Sequence, residues 1–224
     1  MTQLKLHPTC ETTTEMVFIL DRSGSMQGLE KDTIGGFNSL IAKQKEEPGS
    51  AFVTTVLFDH RVEMITSQKP LNEVSPLTKK EYYVRGCTAL LDAIGSTIKH
   101  IRKQQKQDKN KPDQTVFVII TDGYENASTE YSLEKVKSMI EKRQQKNGWE
   151  FVFLGANIDA IETAGSLGIA ADRASAYVAD SDCTRLSYET ISDEVLSPLR
   201  VCAAPSVDWN ASLEEYVQNH SSDA

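Results

Sequence analysis

Apolar residues fall into two patterns along this chain. Met16–Leu20, Ala51–Phe58, Val116–Ile120 and Trp149–Gly155 are short, nearly unbroken apolar runs, as expected of strands buried on both faces. Between them the apolar spacing changes to three and four. Ile34, Phe37 and Ile41 mark a helix over 28–45, and Leu90, Leu91, Ile94, Ile98 and Ile101 mark another from Ala89 to about Gln107. Leu133, Val136, Met139 and Ile140 mark a third, capped by Ser132 and stopped at Asn147-Gly148, and a short fourth runs from Asp159 to Gly168. Arg61–Ile65 instead alternates polar with apolar, which suits a half-exposed edge strand folded back as a hairpin across Asp59-His60. Strands alternating with helices predict an α/β fold: a doubly wound, Rossmann-like, mostly parallel sheet with one antiparallel edge strand and helices on both faces.

The pattern also divides the chain. Residues 1–14 form a polar arm, 15–180 the α/β domain, and 181–224 a helical extension with a polar tail. A short helix over Lys79–Tyr83 and a last strand at Ala176–Val178 fit the spacing. The extension predicts a helix from Cys183 to about Ser197, capped by Ser181 or Asp182 and ended by Pro198, with a loosely held tail from about Ala203. Gly35-Gly36 lies inside the first helix, at a cost of about 1 kcal/mol each relative to alanine. Close packing against the sheet is the favoured reason for the pair, over a hinge.

Composition narrows the function classes. A net charge of −8 over 224 residues argues against binding a phosphate backbone. The basic, Gln-rich run from Arg102 to Pro112 has no aromatic residue for base stacking and reads as a solvated helix end. So no nucleic acid is expected. The first residues lack the apolar core of a signal peptide and no run reaches membrane-spanning length, which predicts a cytoplasmic protein without a membrane partner. The cysteines (Cys10, Cys87, Cys183, Cys202) show no Cys-x-x-Cys spacing, so zinc is disfavoured and reduced thiols are expected.

Three segments carry candidate chemistry. Asp21-Arg22-Ser23-Gly24-Ser25 follows the first strand directly, Thr88 stands at the mouth of the second major helix, and Asp122-Gly123 ends the strand Val116–Thr121. Asp-x-Ser-x-Ser by itself is a common turn composition. With a later Thr and a later Asp, each at the end of the right kind of element, the chain resembles the von Willebrand factor A (vWA) domain family and its metal-ion-dependent adhesion site. Matched residue by residue, Asp21, Ser23, Ser25, Thr88 and Asp122 correspond to that site.

The resemblance implies strand order 3-2-1-4-5-6, placing Asp21 and Asp122 on adjacent strands. It also implies a bound Mg²⁺ or Mn²⁺, a cation that prefers oxygen ligands, with one coordination position left for an Asp or Glu carboxylate of a partner protein. AAA-type ATPase systems are partners the family suggests. The leading expectation is therefore a metal-dependent protein-binding module and not an enzyme. A metal-dependent phosphoester or ester hydrolase at the same ion, and a structural domain that never loads metal, are the alternatives. Neither Gly-x-Ser-x-Gly nor Gly-x-x-x-x-Gly-Lys occurs.

Around the five, Asp92 lies one turn beyond Thr88 and either orients Thr88 or its loop or is an exposed helix residue. Asn157 and Asp159 emerge on the same sheet edge as Asp122. Asp159 also begins a capping box with Glu162, which is its favoured role. His60 reads as an exposed turn residue, and Cys87 as a small packed side chain.

Overall fold

The structure, a computed structural model, describes residues 12–108, 111–156 and 159–220. Strand β1 (Thr13–Asp21) is the centre of a six-stranded sheet. It pairs in parallel with β2 (Ser50–Phe58) on one side and with β4 (Gln114–Thr121) on the other. β3 (Val62–Pro70) adds to β2 as the antiparallel edge, and β5 (Glu150–Gly155) and β6 (Ala174–Ala176) extend the other side in parallel. The order is β3-β2-β1-β4-β5-β6, as the resemblance implied. Register sets the functional edge: Leu20 pairs with Ile120, so Asp21 stands level with Thr121, and Asp122 follows at once.

Side chains alternate across the sheet, and each face builds its own core. Met16, Phe18 and Leu20 pack under α1 (Glu30–Gln44) together with the C-terminal helices. Val17 and Ile19 pack on the opposite face under α2 (Leu90–Gln107), α3 (Leu133–Asn147) and α4 (Ala160–Ser166). The ends of α3 follow the local code: Ser132 Oγ accepts from Lys135 N–H, and Gly148 takes the left-handed conformation (φ 63°) that closes the helix. No helix among the described residues is long and apolar enough to cross a membrane.

The C-terminal region departs from the sequence reading. α5 (Ser181–Thr190) is capped by Asp180, whose carboxylate accepts from Cys183 N–H at 2.7 Å, and not by Ser181 or Asp182. Pro198 does not end the helix. The chain widens into a π turn over Ile191–Leu196 and runs on through α6 (Ser197–Arg200). Proline removes one N–H and crowds the carbonyl four residues back, and the wider turn accommodates both while Ile191, Val195, Leu196 and Leu199 stay buried.

The tail is also more ordered than its composition suggests, because α7 (Ala211–His220) buries Leu213 and follows the buried Trp209. Trp209 Nε1 donates to the Asp172 carbonyl at 2.9 Å, and this fixes the segment's docking. Residues 79–83 form a single turn closed by Thr78 and Glu81 and no helix, and the last strand lies at Ala174–Ala176. Gly36 does pack closely, but against the Tyr188 ring of α5 and not the sheet, while Gly35 faces open space.

Candidate metal centre

Asp21, Ser23, Ser25, Thr88 and Asp122 converge at the carboxyl edge of β1 and β4. The loop after Asp21 turns at once into a short 3₁₀ segment, Gly24–Met26, which brings Ser23 and Ser25 to one side. Their hydroxyl oxygens lie 3.1 Å apart, and Thr88 Oγ1 donates to Ser23 Oγ at 3.0 Å. Ser25 Oγ donates to Asp122 Oδ1 at 2.5 Å. Gly123 keeps the space open: a Cβ there would sit 3.1 Å from Ser25 Oγ and 3.2 Å from Thr88 Oγ1. Hydroxyl and carboxylate oxygens make up the donor set, and among the described residues no group of three His, Cys, Asp or Glu side chains forms a rival site.

Residues that the sequence reading missed hold these five in place. Thr121 Oγ1 donates to Asp21 Oδ2 at 2.6 Å, while Ser23 N–H donates to Asp21 Oδ1 at 2.6 Å. Tyr82, fully buried, donates its hydroxyl to the Asp21 carbonyl. Asn126 Oδ1 accepts from Thr88 N–H at 2.9 Å, and Glu125 accepts from Leu91 N–H at the first turn of α2. A polar residue closing an otherwise apolar strand was the available signal for Thr121. Asn126 and Glu125 gave none, because their partners lie more than thirty residues away.

Burial acts on both acids. Desolvation raises the Asp21 carboxyl to about 6, against the lowering effect of its Thr121 and Ser23 hydrogen bonds. The Asp122 carboxyl is likewise raised by desolvation, opposed by Ser25. Asp122 Oδ2 is buried without a hydrogen-bond partner, an arrangement that costs free energy unless a cation or a proton answers it.

Residues 3–156 match the family described as "VWA domain containing CoxE-like protein". The chain belongs to this family. No curated protein matches it in sequence. Among solved structures, proximal thread matrix protein 1 from the mussel byssus, with a zinc-occupied MIDAS motif, is similar at a TM-score of 0.58 and 17% identity. That match covers 85% of this chain and 46% of the other. A von Willebrand factor type A protein from Catenulispora acidiphila is similar at a TM-score of 0.55 and 14% identity, covering 82% of this chain and 42% of that one. The chain thus spans less than half the length of these structures, and the likeness to them is one of fold.

In this VWA domain the other candidate residues take different places. The hydrogen bonds of the Asp92 carboxylate go to the loop after β4 and not to Thr88. It accepts from the backbone N–H groups of Thr129, Glu130 and Tyr131, strapping that loop onto α2. Asp159 caps α4, accepting from Glu162 N–H at 2.8 Å. Asn157 lies outside the described residues. His60 is partly exposed and rests against Gly86, where a Cβ would lie 2.2 Å from its Nδ1. Cys87 is exposed and Cys183 buried, both as free thiols.

Arg22 and Arg85, close to the site in sequence, turn away from it. Both guanidinium groups bind Asp59 Oδ2, at 2.9 and 2.8 Å, and both reach Glu63. Burial would raise the Asp59 carboxyl, but the Arg85 hydrogen bond, the Arg61 N–H and the charges of Arg22 and Arg85 together outweigh it and hold it below the usual carboxylate range.

Proposed function

We propose that this VWA domain binds a divalent cation, Mg²⁺ or Mn²⁺, through Asp21, Ser23, Ser25, Thr88 and Asp122, and uses it to capture an Asp or Glu carboxylate of a partner protein. The observation that carries the reading is the buried, unpartnered Asp122 Oδ2 beside three clustered hydroxyls. Two desolvated carboxylates whose protons are held too tightly mark a place where positive charge is missing. An all-oxygen set favours a hard ion over zinc, even though the mussel protein's site holds zinc.

When bound, the ion would supply Lewis acidity toward a further oxygen ligand. The protein's part is to hold the donors still. Thr121 and Ser23 N–H fix the Asp21 carboxylate, Asn126 fixes the backbone of Thr88, and Gly123 leaves room at the centre. Binding is favoured over hydrolysis because the neighbouring cations Arg22 and Arg85 are committed to Asp59 and Glu63, which leaves them unfree for acid–base work. Membership of the CoxE-like family supports a partner within an AAA-type ATPase system.

Isothermal titration with Mn²⁺ tests the ion site. Stoichiometric binding is expected for wild type, with affinity lost in Asp21→Ala and reduced in Thr88→Ala. Equal affinity in all three proteins would sink the assignment. Retention of the partner should follow metal occupancy across Mg²⁺ and chelator. Capture that survives both chelation and Thr88→Ala would move the binding surface elsewhere.

A further inference from the structure

The basic run at the end of α2 does not stand alone. α3 lies alongside, and the two helices enclose adjoining hollows of ≈ 480 and ≈ 380 Å³ that share Arg102, Lys142 and Arg143. α2 contributes Lys99, Arg102 and Lys106, at a spacing of three and four. α3 contributes Lys135, Lys142 and Lys146 to the facing wall. No Asp or Glu among the described residues lines either hollow, and none of these cations is in an ion pair among the described residues. This concentration of positive charge is carried by a chain whose net charge is −8.

Helix C-termini attract cations, which accounts for Lys106 and Lys146 in the last turns. It does not account for Arg143. That side chain is only 8% exposed, its guanidinium lies 5.9 Å over the Trp149 ring, and its Nη1 donates to Asn147 Oδ1 at 2.8 Å. A buried guanidinium is ordinarily answered by a carboxylate. Here it has a neutral amide, and its own pKa is lowered, first by burial and then by Arg102. Among the described residues the groove is lined by cations and by no carboxylate.

We propose that the α2–α3 groove is a second docking surface, one that takes an acidic peptide segment, a short run of Asp or Glu, from a partner protein. The inference is independent of the metal reading, because the groove leads away from the edge that carries Thr88 and Asp122. Length supports a peptide: Lys135 to Lys146 spans about 16 Å, enough for about five extended residues. A nucleic acid would find no free ring to stack on, since Trp149 is 4% exposed and the Lys135 ammonium covers Tyr131 at 4.3 Å. The net charge of −8 over the whole chain also disfavours a polynucleotide.

The test is fluorescence anisotropy of labelled hexaglutamate on the full chain, with EDTA present throughout so that the metal edge takes no part. Wild type should bind with affinity that falls as salt rises. Arg102→Glu/Lys142→Glu, both exposed positions, should weaken binding by at least about tenfold. Lys31→Glu/Lys79→Glu makes the same change of charge elsewhere and should retain it. Circular dichroism confirms that each variant folds. The proposal is overturned if wild type fails to bind, or if both double variants lose affinity equally. It is also overturned if hexathymidylate binds tighter than hexaglutamate and is lost with Arg102→Glu/Lys142→Glu, which would make the groove a nucleic-acid site.

Discussion

Gly35 and Gly36 offer a sharp test of the packing between α1 and the C-terminal helices. In an exposed helix interior, Gly→Ala stabilises by about 1 kcal/mol, because alanine loses less backbone entropy on folding. At Gly35 the new methyl meets nothing within 4 Å, so Gly35→Ala should realise that gain. At Gly36 the methyl would lie 2.3 Å from Tyr188 Cδ2 and 2.8 Å from its Cγ. Ordinary contact needs more than 1 Å beyond that. The obstruction is at the root of the ring, and Tyr188 is only 2% exposed, so the ring cannot swing aside. Overpacking of this kind costs about 1–3 kcal/mol, and the short contact puts it at the upper end. Gly36→Ala should therefore destabilise by about 1–2 kcal/mol net, and the two variants should differ by about 2–3 kcal/mol. Urea unfolding of both, compared at equal m-value, reads the difference directly. In a Tyr188→Ala background the penalty at Gly36 should vanish, which a double-mutant cycle would report as strong coupling. If Gly36→Ala proves as stable as Gly35→Ala, α5 does not pack on α1 as described.

Asp92→Ala releases three backbone N–H groups at 129–131 and should cost about 1–3 kcal/mol; amide exchange at those residues that stays unchanged would refute the strap. Leu213, 0% exposed, should cost about 2–5 kcal/mol when changed to alanine, and a melting temperature equal to wild type would mean α7 is not docked. Glu15 is buried among Gln68, Gln105 and Thr54, and burial raises its carboxyl above the ordinary 4.5 despite those hydrogen bonds. The folded chain then keeps a proton that the unfolded chain has already released. Stability contributed by this group therefore falls as pH rises above about 4.5 through the raised value. Glu15→Gln should flatten that decline relative to wild type in a series of thermal melts. A decline of equal slope in both proteins would place the titration elsewhere.

The α/β class was legible because its code is local. Apolar runs closed by turn residues make buried strands, and the three-four spacing makes helices. The candidate site was legible through the family resemblance, carried by short segments at element ends: Asp21, Ser23 and Ser25 sit together in sequence, Thr88 stands just before α2, and Asp122 opens the loop after β4. Ser132 and Asp159 as caps also read correctly, since a cap bonds a backbone group only three residues away.

What the chain alone could not decide depends on partners distant in sequence. Asp92 has the same spacing whether it faces solvent or straps a loop, and only the folded α2 brings residues 129–131 to it. Pro198 carries a stop signal, yet the apolar face from Ile191 to Leu199 gains enough by burial that the helix continues through a wider turn. Gly35 and Gly36 are adjacent glycines of one helix, and the approach of Tyr188 from 152 positions away makes one indispensable and the other replaceable. The basic run of α2 reads as a solvated helix end until α3 sets a second row of cations opposite it. A sequence determines local geometry because bonded neighbours are always present. The identity of non-bonded neighbours, and with it burial, charge balance and strain, exists only once the chain has closed on itself.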